Sequence, residues 1–177
     1  RFVNKDFKNT RPSTIYKARV LEKGIDLNII KGDFGKIFVG KTVAIQDIDA
    51  YSSRDYGKPH RDAKNGMLPP KLAQIMINLS GINSGKTSGS EPSSRTIFDP
   101  FCGTGTVLME GRLMGHSTIG SDISPKMVDF SVKNCEWLKG EFKTEASGSE
   151  ISYNFKVFER DARFLNKNVL PEKIDVI

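Results

Sequence analysis

The second half of the chain alternates between short apolar runs and amphipathic stretches. The runs predict strands at Thr96–Asp99, Ser117–Asp122, Phe155–Arg160 and Lys173–Ile177, with helices at Thr106–Met114 and Lys126–Leu138 between them. Strands that alternate with helices of this length are typical of βαβ units on a parallel sheet. The pattern therefore predicts an α/β, Rossmann-like domain over residues 96–177.

The beginning of the chain has a different pattern. Residues 13–23 predict a short helix, because they start with a favourable N-cap residue and are followed by Gly24. Two stretches rich in Ile and Val, Ile25–Ile30 and Lys36–Gln46, flank a turn that contains two glycines, and together they predict a β-hairpin. We expect a small α+β segment before the Rossmann-like domain.

A second helix is predicted just before the α/β part of the chain. Two prolines precede Lys71–Leu79, where they suit the first turn of a helix better than its interior. The helix carries four apolar residues on one face, which are Leu72, Ile75, Met76 and Leu79. The Ser-, Gly- and Thr-rich stretch Asn83–Arg95 follows, and its composition predicts a flexible surface insertion.

These elements divide the chain into four segments. They are an α+β segment at residues 1–46, a basic connector with its helix at 47–82, the insertion at 83–95 and the Rossmann-like domain at 96–177. Residues 1–71 contain 15 Lys and Arg against 8 Asp and Glu, whereas residues 72–177 contain 12 against 13. The basic excess indicates either a surface that faces a polyanion, such as the end of an RNA-binding region, or a solvated basic surface.

Composition also limits the cellular setting. No apolar run approaches the roughly 20 residues of a transmembrane helix, so a membrane role is not expected. The first residues contain neither an initiator Met nor an apolar signal core, which is typical of a cut end in a cytoplasmic protein. The two cysteines, Cys102 and Cys135, lack the paired spacing of a zinc site, and we expect reduced thiols and no metal.

The sharpest motif, Asp99–Gly105, lies between a predicted strand and a predicted helix. Its glycines allow a tight turn and a close approach to a ligand, and the helix start presents free amides. About 20 residues later Asp122 ends the next strand, where a carboxylate can accept both hydroxyls of a ribose. The motif lacks the GxGxxG pattern of dinucleotide sites and the Gly-Lys-Ser/Thr ending of a P-loop. A nucleoside without phosphate, such as S-adenosylmethionine, fits better, since Asp99 could face its cationic methionine part.

Several segments together resemble a known family. Residues 99–105, 120–123 and 160–162 resemble motifs I, II and III of class I methyltransferases. Residues 46–47, 54–56, 59–62, 66–73 and 78–79 resemble the tRNA guanosine N2-methyltransferases that carry a THUMP domain before the catalytic domain. The resemblance covers roughly residues 13–177, and the combination of its segments is more selective than motif I alone.

The resemblance implies S-adenosylmethionine as the cofactor. Motif I would line the methionine side, Asp122 would bind the ribose, and motif III would lie against the adenine. The loop at 66–71 would close over the cofactor, or would serve only as a proline-capped helix start. The implied cofactor-binding residues are Met67, Leu68, Asp99, Pro100, Phe101, Cys102, Gly103, Thr104, Gly105, Asp122, Ile123, Asp161 and Ala162.

The implied reaction is methyl transfer to the exocyclic N2 amine of a guanosine in tRNA. In the family, the strand that begins like Ile174–Ile177 continues into an Asp-Pro-Pro-Tyr motif, whose carboxylate, backbone carbonyl and aromatic ring orient the amine. We therefore expect the catalytic residues beyond Ile177, and we expect the chain to be inactive by itself. The alternatives are methylation of guanine N2 in ribosomal RNA or of adenine N6 in DNA, and a non-catalytic nucleic-acid-binding module.

The expected partner is tRNA, and a small activator protein is a further candidate. Four cations before the loop at 66–71 are predicted to contact RNA phosphates, and they are Arg54, Lys58, Arg61 and Lys64. The rival interpretation is that Arg54 and Arg61 form structural ion pairs with carboxylates.

Overall fold

The computed structural model describes residues 10–64, 66–82, 95–141, 154–166, 170 and 173–177. Its regular elements, in chain order, are α1 (Pro12–Lys17), α2 (Val20–Lys23), β1 (Leu27–Lys31), β2 (Ile37–Lys41), α3 (Ile48–Ser52), α4 (Pro70–Leu79), β3 (Thr96–Asp99), α5 (Thr106–Leu113), β4 (Ser117–Asp122), α6 (Pro125–Glu141) and β5 (Phe155–Glu159). A π-helical turn covers Ser53–Gly57, and short 3-10 turns cover Asp33–Gly35 and Ala162–Phe164.

The chain forms two compact units, Arg1–Ser53 and Arg54–Ile177. The division follows Ser53, whereas the sequence suggests a first boundary after residue 46. The predicted insertion at 83–95 lies outside the described residues, apart from Arg95.

The first unit contains the predicted hairpin. Strands β1 and β2 pair antiparallel, with Ile29 opposite Val39. Every residue of the two strands is exposed except Gly40, which is half-buried. The helix predicted at 13–23 is interrupted, because Arg19 adopts a left-handed conformation with a φ of 50° and separates α1 from α2.

The second unit contains a parallel sheet in the order β3-β4-β5. Asp99 pairs with Gly120 at the end of β3, and Asp122 pairs with Glu159 at the end of β4. The strand predicted at Lys173–Ile177 is a single parallel bridge, from Val176 to Ile97 on β3. Because the strands are parallel, Asp99, Asp122 and the residues after β5 meet at one carboxyl edge of the sheet.

Helices cover this sheet and form its core. Leu108 and Met109 of α5 pack with Cys102 and with residues of α6 in one apolar cluster. In a second cluster, Ile77 of α4 packs with Ile82 and Ile97. The parallel sheet with flanking helices confirms the predicted α/β, Rossmann-like fold class.

Helix α4 has the predicted position but packs through an unexpected face. Its buried residues are Pro70, Ala73 and Ile77. The four apolar residues that the helical pattern assigns to one face, Leu72, Ile75, Met76 and Leu79, are all exposed. The helix contacts α5, and Ile77 of its buried face packs with Ile97 of the sheet.

None of the helices in the described part of the chain is both long and apolar enough to cross a membrane.

Candidate functional site

The glycine-rich turn after β3 has a backbone shape that requires its glycines. Gly103 and Gly105 have φ values of 51° and 81°, in the left-handed region that side chains disfavour. A Cβ atom at Gly105 would also collide with the hydroxyl of Ser131 on α6. The Gly105 amide donates to the Cys102 carbonyl at 2.7 Å, which closes the turn just before α5 begins.

Asp122 holds this turn from the neighbouring strand. Its Oδ2 accepts a hydrogen bond from the Gly103 amide at 3.0 Å, and its Oδ1 accepts one from the Ser124 amide at 2.9 Å. A carboxylate has about four acceptor positions, so two remain for a ligand. The sequence predicts a ribose contact for Asp122. In the structure its carboxylate also accepts hydrogen bonds from the backbone of the glycine-rich turn and of Ser124.

A cavity of about 400 Å³ opens beside the turn at the carboxyl edge of the sheet. Its lining residues are Asp62, Gly66, Met67, Leu68, Asp99, Phe101, Cys102, Gly103, Thr104, Thr106, Val107, Asp122, Ile123, Ser124 and Met127. Three of these residues are carboxylates, and none of the described lining residues is Lys, Arg or His. This charge favours a cationic ligand without phosphate groups over a nucleoside phosphate.

The electrostatics of Asp99 agree with this preference. Burial raises the pKa of the Asp99 carboxyl above its ordinary value, and the neighbouring charge of Asp122 raises it further. The Phe101 amide, which donates to Asp99 Oδ1 at 3.0 Å, acts in the opposite direction. A bound cation would relieve the repulsion between the two carboxylates. This pair of acidic groups therefore fits a positively charged ligand.

The cavity brings together most of the residues predicted to bind the cofactor. Those that line it are Met67, Leu68, Asp99, Phe101, Cys102, Gly103, Thr104, Asp122 and Ile123. Pro100 and Gly105 belong to the same turn but do not line the cavity. Asp161 lines a neighbouring open cavity with Ile123 and Phe164, whereas Ala162 lines neither.

Asp161 is also engaged by its own turn. Its carboxylate accepts hydrogen bonds from the Arg163 guanidinium, the shortest at 2.6 Å, and from the Arg163 amide at 2.9 Å. These hydrogen bonds lower the pKa of the Asp161 carboxyl. The carboxylate is therefore charged, and Arg163 already donates hydrogen bonds to it at the position where the adenine contact is predicted.

Six lining residues were not predicted as cofactor contacts, and they are Asp62, Gly66, Thr106, Val107, Ser124 and Met127. Asp62 and Gly66 lie in segments that resemble the tRNA methyltransferase family. This resemblance could have identified both residues as candidates for the cavity lining. Ser124 and Met127 follow Asp122 at the start of α6. Their proximity to the cavity depends on how that helix leaves the sheet edge.

The structure contradicts the prediction that Arg54 and Lys58 contact RNA. Arg54 is 5 % exposed, and its Nε donates to Glu110 Oε1 at 2.7 Å. Lys58 is 3 % exposed, and its Nζ donates to the hydroxyl of Thr106 at 2.9 Å. Side chains buried against protein partners do not reach a phosphate backbone.

Arg61 and Lys64 are exposed on the surface, so the structure leaves both side chains accessible to RNA. The guanidinium of Arg61 lies 5.1 Å from the ring centroid of Tyr56, an exposed residue. Between these two cations, Asp62 forms an ion pair of 3.0 Å with Lys126. The RNA contact of Arg61 and Lys64 stays a prediction.

The chain is similar to named methyltransferases. It is 37 % identical over 112 residues to the tRNA (guanine(10)-N2)-dimethyltransferase of Methanothermobacter thermautotrophicus, which covers 63 % of the chain and 26 % of that protein. It is 30 % identical over 123 residues to the enzyme of the same name from Methanocaldococcus jannaschii, which covers 66 % of the chain and 32 % of that protein. The tRNA (guanine(10)-N(2))-methyltransferase of Saccharomyces cerevisiae is 24 % identical over 132 residues, 74 % of the chain and 25 % of that protein.

The chain thus spans about a quarter to a third of the length of these relatives. Residues 58–168, which include the glycine-rich turn, the sheet edge and all fifteen residues named above as lining the cavity, match a protein-family description. That family is UPF0020, described as an RMKL-like methyltransferase domain. Since the match covers more than half of the chain, the chain belongs to the RMKL-like methyltransferase domain family.

Proposed function

We propose that this chain is the methyl-donor-binding part of an enzyme that methylates the N2 amine of a guanosine in tRNA, with S-adenosylmethionine as the donor. The names of the relatives support the substrate, since three of them are tRNA guanine-N2 methyltransferases from archaea and yeast. No feature of the described residues favours ribosomal RNA, DNA or a non-catalytic role over tRNA. We expect the enzyme to work in the cytoplasm.

The observation that carries the proposal is the acidic cavity beside the glycine-rich turn. S-adenosylmethionine has a sulfonium and an ammonium group and no phosphate, which suits a lining with three carboxylates. In this proposal Asp99 faces the cationic methionine part, and Asp122 accepts the ribose hydroxyls with its remaining lone pairs. Ile123, which lines both cavities, lies against the adenine.

The contribution of these residues to the reaction is orientation. S-adenosylmethionine supplies an electrophilic methyl group when it is bound. The N2 amine of guanine is a weak nucleophile, because its lone pair is delocalised into the base, so its alignment with the methyl group decides the rate. The turn at Asp99–Gly105 holds one partner of that alignment. The family resemblance assigns the other partner to an Asp-Pro-Pro-Tyr motif.

The RNA contact is proposed for the exposed cations Arg61 and Lys64. They flank Asp62, which lines the cavity, so a phosphate backbone bound to them would lie close to the methyl donor. Each phosphate contact adds affinity that weakens as salt concentration rises.

Calorimetry on the purified chain tests the cofactor assignment. We expect saturable binding of S-adenosylmethionine and no comparable binding of ATP or NAD, because the acidic lining repels phosphates. Asp122→Ala should weaken the binding by about 1.5–3 kcal/mol for each charge-assisted hydrogen bond that it removes. Glu136→Ala, an exposed change on α6, is the matched control and should bind like the unmodified chain. Tighter binding of ATP than of S-adenosylmethionine would refute the assignment.

A further inference from the structure

A buried polar network lies beneath the glycine-rich turn and takes no direct part in the proposed ligand contacts. Its charged and polar members come from three separate parts of the second unit. Arg54 and Lys58 belong to the segment after α3, Gln74 belongs to α4, and Glu110 belongs to α5.

Glu110 is the centre of one half of this network. It is fully buried, and its two carboxylate oxygens accept hydrogen bonds from Arg54 Nε at 2.7 Å and Nη2 at 3.3 Å. Gln74 Nε2 donates to the same carboxylate at 2.6 Å. This half ties α4 and the segment before it to the second turn of α5.

Lys58 forms the other half and reaches the turn itself. Its Nζ donates to the Thr104 hydroxyl at 3.3 Å and to the Thr106 hydroxyl at 2.9 Å. Both threonines line the cavity. The Thr104 carbonyl also accepts a hydrogen bond from Asn134 Nδ2 of α6 at 2.9 Å. The last residues of the turn are thus held by contacts from two sides.

Stability alone is a poor explanation for a cation in this position. Burying an ammonium group costs several kcal/mol in effective desolvation, and an apolar side chain of similar size often serves the fold as well. Burial accordingly lowers the pKa of Lys58, against the opposing charges of Asp55 and Glu110. An apolar side chain could not donate hydrogen bonds to the hydroxyls of two threonines that line the ligand cavity.

We propose that Lys58 is a positioning residue for methyl-donor binding, which acts by fixing the hydroxyls of Thr104 and Thr106 at the junction of the glycine-rich turn and α5. The inference rests on the proposed function, because it assumes that the cavity holds S-adenosylmethionine. The Arg54–Glu110 ion pair supports Lys58, since it fixes the segment that carries Lys58 against the same helix.

The test compares Lys58→Met with Arg112→Met in the 177-residue chain. Arg112 is a matched control because it is also a fully buried cation of the same unit, but its Nη1 donates to the Cys135 carbonyl at 2.7 Å, away from the cavity lining. Calorimetry with S-adenosylmethionine gives the affinity, and thermal melts give the stability. We expect about tenfold weaker binding for Lys58→Met, which corresponds to about one charge-assisted hydrogen bond. For Arg112→Met we expect a lower melting temperature and an affinity within about twofold of the unmodified chain.

Two results would overturn the inference and leave the proposed function intact. One is an unchanged affinity in Lys58→Met, and the other is an equal loss of affinity in Lys58→Met and Arg112→Met, which would indicate general destabilisation. No binding of S-adenosylmethionine to the unmodified chain would overturn the proposed function itself, and the inference with it.

A second pair of variants decides the question if Lys58→Met does not fold. Thr106→Val removes the hydroxyl that Lys58 holds and keeps the shape, whereas Thr106→Ser keeps the hydroxyl. The inference requires weaker binding in Thr106→Val and nearly unchanged binding in Thr106→Ser. Equal affinities in both variants would overturn it. Where Lys58→Met folds, the double variant with Thr106→Val should bind no more weakly than Lys58→Met alone, because both changes remove the same hydrogen bond.

Discussion

Two pairs of cations in one short segment have opposite environments. Arg54 and Lys58 lie in the interior of the second unit, whereas Arg61 and Lys64 lie on its surface. In the sequence all four belong to the same basic stretch and carry the same charge. A basic stretch of sequence can therefore combine buried structural cations with exposed surface cations, which composition does not distinguish.

The partners of each pair explain the difference. Arg54 meets a carboxylate that lies 56 residues away in sequence, and Lys58 meets the Thr106 hydroxyl 48 residues away. Arg61 instead lies over the ring of Tyr56, a near neighbour on the surface. Buried cations need fixed partners to offset their desolvation, and exposed cations are solvated without them. We therefore expect changes at buried positions of this segment and its partners to lower stability more than changes at its exposed cations.

The largest effect is expected for Arg54→Ala. The change leaves Glu110 buried without its cation, which should lower the free energy of unfolding by about 3–5 kcal/mol. Equilibrium denaturation with urea measures this loss. Arg163→Ala is the control, because its ion pair with Asp161 is exposed on the arginine side and should contribute little to the free energy of unfolding. Equal losses in the two variants would mean that Arg54 is not a structural cation.

Asn134→Ala should have the next largest effect. Asn134 is fully buried and joins α6 to the middle of the segment, with one hydrogen bond from the His60 amide and one to the His60 carbonyl. Its removal leaves these backbone groups without their partner, at a cost of about 1–3 kcal/mol in the free energy of unfolding. Urea denaturation beside the exposed change Lys133→Ala measures it, and a loss as small as that of the control would contradict the assigned role.

The third prediction concerns pH and Lys58. Burial lowers the pKa of Lys58 in the folded chain, so the unfolded chain binds more protons between that lowered pKa and the ordinary value of 10.5. The unmodified chain should therefore gain stability relative to Lys58→Met as the pH rises towards 10.5. The comparison with the variant is needed because burial also raises the pKa of the Cys102 thiol from 9.0 to about 12, which lowers stability above pH 9 in both proteins.

Denaturant titrations of both proteins at several pH values measure this difference. Lys58→Met lacks the titrating group but retains the cysteines, so their effect cancels in the comparison. A constant difference between the two proteins up to pH 10.5 would show that Lys58 titrates as it does in water.

The smallest effect on folding is expected for the double variant Arg61→Ala, Lys64→Ala. Both side chains are exposed, so the free energy of unfolding should change by no more than about 0.5 kcal/mol. If they bind phosphates, the slope of log affinity for tRNA against log salt should become shallower by roughly 0.7–0.9 for each phosphate that the variant no longer neutralises. Binding assays at several salt concentrations measure the slope, with Lys133→Ala, Lys139→Ala on α6 as the control. An unchanged slope would remove this part of the segment from the RNA surface.

Much of the α/β architecture is readable from the sequence. The bounds of β3 and β4 are as predicted, and α5, α6 and β5 differ from their predictions only at the ends. The meeting of Asp99 and Asp122 at one edge follows from their positions at the ends of successive strands. These features depend on local periodicity and on turn residues, which neighbouring positions in the chain encode.

Other features depend on which parts of the chain meet. The apolar face of α4 that the pattern selects is exposed, because the helix packs on α5 through Ala73 and Ile77. Asp62 lines the cavity and Lys58 lies under the turn because the segment before α4 crosses both sites. Residue type and spacing were thus enough to specify β3, β4 and β5, the glycine-rich turn and its carboxylates. The burial of each cation and the position of Ser124 and Met127 at the cavity were decided only by the tertiary structure, because burial is a property of contacts between residues distant in sequence.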